Sequence, residues 1–364
     1  MNTQLRTTAL PDEISNAVDL APLDLVSGST WLILGRDGAI HRLDAESAAH
    51  SRVGTTTVVA AAEPLAGDSE RTRIRYGFPS PRLRLHVSGD GRFAGVVNDY
   101  GRHGEVIDLE SNRVTVTIDG GDYHPDTVPL SLAFARHEGG TVVIHRTKWN
   151  RLDVSDPRTG ELLTPRDSPS AQPMGEHYLD YFHGALYVQP DGEYVLDDGW
   201  IWHPLGVPTV WSLPRWIREN VWESEDGPTK REVCPRDSYW NHGMCWLDST
   251  RVAIGGIGDD DAEMVHGMRI FDVTSVEPSR SDQWVGLYAS ELATVPGPTG
   301  LFFSDGRRLF AADARGLSVW DPTAGKQLGV VEGFRPTRHH RGAGELVELS
   351  DNKLVRLVTD DMGS

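Results

Sequence analysis

Apolar runs of strand length recur along this chain, each parted from the next by a short polar turn. The clearest example lies within Arg307–Gly329. Leu309–Ala312 is one such run, and Leu317-Ser-Val-Trp320 follows after a break at Ala314-Arg-Gly316. Asp321-Pro-Thr-Ala-Gly325 has turn chemistry: proline presets φ, the aspartate bonds the backbone ahead, and glycine tolerates positive φ. Upstream, Gly300-Leu-Phe-Phe303 and Ser304-Asp-Gly306 supply an earlier strand and its hairpin turn. The unit is therefore strand, Asp-Gly turn, strand, short break, strand, Asp-Pro turn, strand.

The same grammar appears elsewhere. Arg151-Leu-Asp-Val-Ser-Asp-Pro-Arg-Thr-Gly-Glu-Leu-Leu163 aligns with Gly316-Leu-Ser-Val-Trp-Asp-Pro-Thr-Ala-Gly-Lys-Gln-Leu328, with Leu, Val, Asp-Pro, Gly and the last Leu in register. Hairpin turns sit between apolar runs at Ser27-Gly28, Asp90-Gly91, Glu138-Gly139, Asp191-Gly192, Asp248-Ser249, Asp305-Gly306 and Asp351-Asn352. Their spacing of about 46 to about 63 residues suits propeller blades that carry loop insertions. On these residues the chain resembles the WD40-like β-propeller superfamily over nearly its whole length, and Trp320-Asp321 supplies one Trp-Asp closing pair. The resemblance implies an all-β, seven-bladed propeller forming a single domain, with six blades as the alternative.

In chain order, the first blade is expected from Leu23–Val26 through Arg52–Ala60. The stretch at 61–73 reads as a polar linker and 167–175 as a Pro/Ser-rich loop. The last turn, at Asp351-Asn352, leaves room for one more strand, so part of Thr3–Leu20 is expected to complete the last blade. Seven of the 11 Trp fall between 200 and 246. There Ser212-Leu-Pro-Arg-Trp-Ile-Arg-Glu-Asn-Val-Trp222 predicts a short helix around 213–222, with Ser212 as N-cap and Pro214 in the first turn. Residues 213–243 read as an insertion between the fourth and fifth blades.

Composition changes this picture little. A content of 38 Gly and 22 Pro suits a turn-rich β protein. A formal charge of −18 disfavours nucleic acid, since phosphate binding draws on concentrated Lys and Arg. Two cysteines, Cys234 and Cys245, have no metal-ligand spacing and suit free thiols in a reducing compartment. The opening residues lack a signal-peptide core, and no apolar stretch approaches a membrane span. These readings point to the cytoplasm, with no membrane contact.

The candidate chemistry is sparse. No Gly-x-Ser-x-Gly elbow occurs, and Gly255-Gly-Ile-Gly258 runs into carboxylates that would repel a phosphate. No catalytic residue and no cofactor is expected. Trp200, Trp202, Trp211 and Trp246 fall on strands and are expected to pack between blades. Trp216, Trp222 and Trp240 are candidates for contact with a protein partner, because hot spots favour Trp. Arg338-His339-His340-Arg341, which could hold an anion or an acidic partner segment, is a second partner-binding candidate, read as a surface loop. Asp259-Asp260-Asp261 with Glu263 lacks the alternation and glycine bend of a calcium loop and reads as a solvated tip. No metal site is expected. The favoured reading is a non-catalytic interaction scaffold. The alternative is an enzyme or ligand-binding propeller with a site at the mouth of the axial channel, built from His183, His242, His266 and Asp260.

Overall fold

The computed structural model describes residues 4–59, 81–167, 176–202, 204–278 and 287–360. The polar stretch expected at 61–73 and most of the Pro/Ser-rich loop fall outside them. Among the described residues the chain is almost wholly β, in six sheets whose strands lie side by side largely in chain order. One sheet holds Ala17–Pro22, Thr30–Gly35, Ala39–Asp44 and His50–Thr55. The next holds Arg82–Val87, Phe93–Asp99, His103–Asp108 and Arg113–Asp119, and a three-stranded sheet follows with Leu132–His137, Gly140–Lys148 and Arg151–Ser155. A four-stranded sheet runs from Leu301–Ser304 to Lys326–Glu332. These small antiparallel sheets are those of a β-propeller.

The residue pattern explains the stacking. Second strands such as Thr30–Gly35 and Phe93–Asp99 are buried along their whole length, because neighbouring sheets cover both faces. The outer strand Arg113–Asp119 alternates exposed and buried positions, as an edge facing water should. Cores form between sheets rather than within them: Leu32, Leu34 and Ile40 of one sheet pack on Leu85, Ala94 and Val96 of the next. At the first hairpin turns Gly91 and Gly306 adopt φ of 73° and 88°, which explains the Asp-Gly signature.

Three expectations shift. The sheet of Arg338–His340, Glu345–Ser350 and Lys353–Val358 takes Arg6–Ala9 as its fourth strand, antiparallel to Lys353–Val358, with Arg6 opposite Arg356. A single strand is supplied, because Arg338–His340 is itself the inner strand; the Arg-His-His-Arg segment is not a loop up to its final Arg. Asp351-Asn352 is correspondingly the turn between the second and third strands of this sheet. The first sheet begins at Ala17–Pro22 rather than Leu23–Val26, since the Asp19–Leu20 stretch pairs with Ile33 and Leu34.

The Trp-rich region forms part of a ten-stranded sheet. Its helix is Leu213–Arg218, with Ser212 capping the N–H of Arg215, and Glu223–Asp226 is a second short turn of helix. The expected insertion is shorter than 213–243: Arg231–Glu232 pairs with Thr209–Ser212, and Arg236–Asp237 with Leu205–Gly206, so both are outer-strand material of the sheet. No helix of the described residues is long and apolar enough to cross a membrane.

Candidate functional site

An antiparallel meander places the turns between second and third strands, and the sheet-to-sheet connections, at one end of the ring. The first hairpin turns lie at the other end. The connection end carries a continuous aromatic platform. Trp200, at the end of Tyr194–Ile201, stacks on Phe182 with centroids 4.5 Å apart and on Trp240 at 5.1 Å. Tyr123 stacks on Phe182 at 5.5 Å, and Trp149 packs on both rings. Trp202 meets Trp200 and His124 edge-on at 5.0 and 4.9 Å.

Polar anchors fix these rings. Thr127 accepts the Trp200 indole N–H at its hydroxyl, and its carbonyl accepts from Trp240 and from the Asn241 amide. The Trp202 indole N–H donates to the Tyr123 hydroxyl at 3.1 Å. Trp202 and Tyr123 are nevertheless 42% and 44% exposed. They form the outer layer of an otherwise buried stack. Exposed carboxylates border it at Asp122 and Asp180, and beyond Trp240 at Asp237, Asp260, Asp261 and Glu263.

Next to Trp240 lies a cavity of about 720 Å³ lined by Tyr239, His242, His266 and Asp261, among others. His242 stacks on Tyr239 with centroids 3.3 Å apart, and burial, with Arg236 nearby, pulls its pKa down to about 3. Asp198 is fully enclosed nearby: burial pushes its pKa up to about 7 against the pull of Arg236 and of the His242 and Asn241 backbone N–H groups.

The residues expected to bind a partner divide. Trp240 lies in the platform, half-buried. Trp216 is fully buried, packed edge-on against Trp211 and donating its N–H to the Val221 carbonyl, so its ring offers no surface to a partner. The helix faces inward because Leu213, Trp216 and Ile217 share one side and join the core. Trp222 lies in the connection at the opposite end of its sheet, stacked on His177 at 4.4 Å and 5.3 Å from the Arg166 guanidinium. Arg338 bonds Asp19 and the Leu20 carbonyl of the neighbouring sheet. His340 is buried, its Nε2 donating to Thr30 and its Nδ1 accepting from Ala343. Both are bound up in joining sheets, whereas Arg341 is exposed and His339 half-buried.

The alternative metal set does not assemble. His183 is buried against Asp197 at 2.6 Å, Asp260 caps a turn of 3-10 helix at an exposed tip, and only His242 and His266 share a cavity. Among the described residues no three His, Cys, Asp or Glu side chains are grouped to hold a metal. Cys234 is as buried as Cys245, and both thiols are free. Sequence reasoning missed Tyr123, His124, Trp149 and Phe182, and misplaced Trp202. Trp202 lies just past its strand, where the inward-outward alternation no longer applies.

No protein-family description and no curated protein matches the sequence. The three-dimensional fold, in contrast, matches 1151 chains of solved structures. One belongs to the crystal structure of a mitotic checkpoint complex, with a TM-score of 0.56 and 15% identity, over 99% of this chain and 96% of that one. At that identity the likeness speaks for the fold alone. With the sheet order and the stacked cores described above, it establishes that this chain has a β-propeller fold.

Proposed function

We propose that this is a single-domain, seven-bladed propeller that works as a protein-interaction scaffold through its aromatic platform. Support for this count comes from dividing the ten-stranded sheet where Glu232 meets Tyr288, a one-residue parallel pairing between the outer strands of two units. Each unit is four strands wide when Leu205–Gly206 with Thr209–Ser212, and Arg231–Glu232 with Arg236–Asp237, are taken as one broken strand each. Inner segments from seven places in the chain line the central channel, in keeping with that division. The helical region at 213–230 is then an elaboration of the fourth blade.

The observation that carries the function is the exposed Trp202–Tyr123 pair on a fixed aromatic base. Large rings held in place lose little freedom on binding, and Trp and Tyr dominate interface hot spots. The surrounding carboxylates favour a partner segment bearing Lys or Arg, whose charge also gains from an aromatic face. The similar chain in a mitotic checkpoint complex supports no more than the use of this fold within protein assemblies. The two unpaired thiols suit a cytoplasmic setting.

The test is affinity capture from cells of the source organism with the wild type and with Trp202→Ala/Tyr123→Ala. Loss of a captured protein from a variant with unchanged circular dichroism supports the reading. Identical captured sets would show that the platform is not the interaction surface.

A further inference from the structure

The central channel has a different character from the acidic exterior. It encloses about 840 Å³ and receives Arg84, Arg136, Arg338 and Arg341 from the inner strands or first turns of three sheets. Two of these charges are already matched: Arg84 pairs with Asp99 at 3.3 Å, and Arg338 with Asp19. Arg136 and Arg341 are exposed toward the first-turn end, and no side chain of the described residues holds either guanidinium.

Two imidazoles, His86 and His339, line the same channel, and each has a shielded Nε2 without a hydrogen-bond partner. Burial, then the neighbouring arginines, holds His86 well below its usual range and His339 down to about 4, so both are neutral. The carboxylates of this lining, Asp24 and Asp90, are engaged: Asp24 with the Gly342 N–H, Asp90 with the Ser88 hydroxyl and the Arg92 N–H. Arg341 and His339 also line a second cavity of about 530 Å³ at the mouth, which gives access from solvent.

We infer that the first-turn mouth of the axial channel binds a small anion bearing two or more phosphate groups, held by Arg136 and Arg341. Guanidinium forks match phosphate oxygens bidentately, and a low-dielectric wall strengthens each contact. The mouth cavity also carries Asp191, Asp248, Asp305 and Asp360. Asp248 pairs with Arg251 and Asp305 with Arg308, and the exposed Asp191 and Asp360 are screened over about 10 Å in salt. A recessed site of this volume fits a compact solute. It is also independent of the aromatic platform, which lies at the opposite end of the ring.

The probe is pyrophosphate, titrated calorimetrically into the full chain at constant ionic strength, with wild type and Arg136→Gln/Arg341→Gln in parallel. Saturable binding to the wild type and at least tenfold weaker binding to the variant is the expected result. The free variant should melt with the wild type, since both side chains are exposed and unpaired. Absence of saturable binding to the wild type, or equal affinity in the variant, overturns the inference. So does a hexaglutamate peptide binding the wild type as tightly as pyrophosphate, which would assign the charges to acidic peptides. Vesicles containing phosphatidylinositol bisphosphate separate two sources of the same chemistry. Arginine-dependent co-sedimentation supports a lipid headgroup, and pyrophosphate binding without co-sedimentation supports a soluble phosphate.

Discussion

Trp202 and Tyr123, brought together from two separate connections, share one hydrogen bond at the outer edge of a buried aromatic stack. Each keeps more than two fifths of its surface in water, so removing them takes little from the core. Trp202→Ala/Tyr123→Ala is expected to cost no more than about 2 kcal/mol in urea unfolding, the scale of ordinary point mutations away from a core. A larger loss would mean that the pair is structural.

Trp216 is the contrasting case. Its ring is fully enclosed between Trp211 and the helix, with its N–H bonded. Trp216→Ala should destabilise by about 3–5 kcal/mol through lost transfer energy and a residual cavity. Equilibrium denaturation measures this directly, and a value near zero would place the helix outside the core.

Asp198 makes stability depend on pH. Its folded pKa is raised to about 7 by burial, against about 3.9 in an unfolded chain. Between those values the folded state holds a proton that the unfolded state releases, so stability from this group falls as pH rises, by up to about 1.4 kcal/mol per pH unit. Above the folded pKa the slope from this group vanishes. Asp198→Asn should remove this component, so the gap between variant and wild type widens from pH 4 to 7 and then stays level. Parallel stability curves would show that Asp198 stays ionised.

Arg356 is buried where the ring closes, donating to Glu345 at 3.0 Å, to Glu46 and to the Ala45 carbonyl. Glu345 is also buried and takes the Ser29 hydroxyl. Arg356→Leu leaves that carboxylate without its partner and should cost about 3–5 kcal/mol, whereas Arg356→Leu/Glu345→Leu should recover much of the loss. A double variant no more stable than the single one would argue against pairing as the cause.

The strands and turns were legible because they rest on local chemistry. Asp-Gly at 90–91 and 305–306, and runs such as Leu309–Ala312, specify hairpins wherever they occur. The helix after Ser212 was legible from its cap and Pro214 for the same reason. The candidate surface was not. Tyr123, Trp149, Phe182 and Trp202 lie far apart along the chain and meet only because the ring brings their connections to one end. Trp216 looked available because it lies outside the strands, yet its helix packs inward. Two of the channel arginines were equally hidden: Arg84 and Arg136 lie within ordinary strand sequence, and nothing local shows that inner strands from different sheets face one axis.

Pairing of Arg6–Ala9 with Lys353–Val358 gives the chain a timetable. Arg6–Ala9 must wait for Lys353–Val358 to be made before it finds its neighbour, a contact of very high sequence separation. Until then the stacked sheets form an open arc with two uncovered ends, the kind of edge that invites association with other chains. Closure on the ribosome is therefore a late event, and nascent chains halted before Lys353 should be cut by protease where the released chain resists. The N-terminal segment thus acts as a latch whose absence would leave every earlier sheet folded but the circle undone.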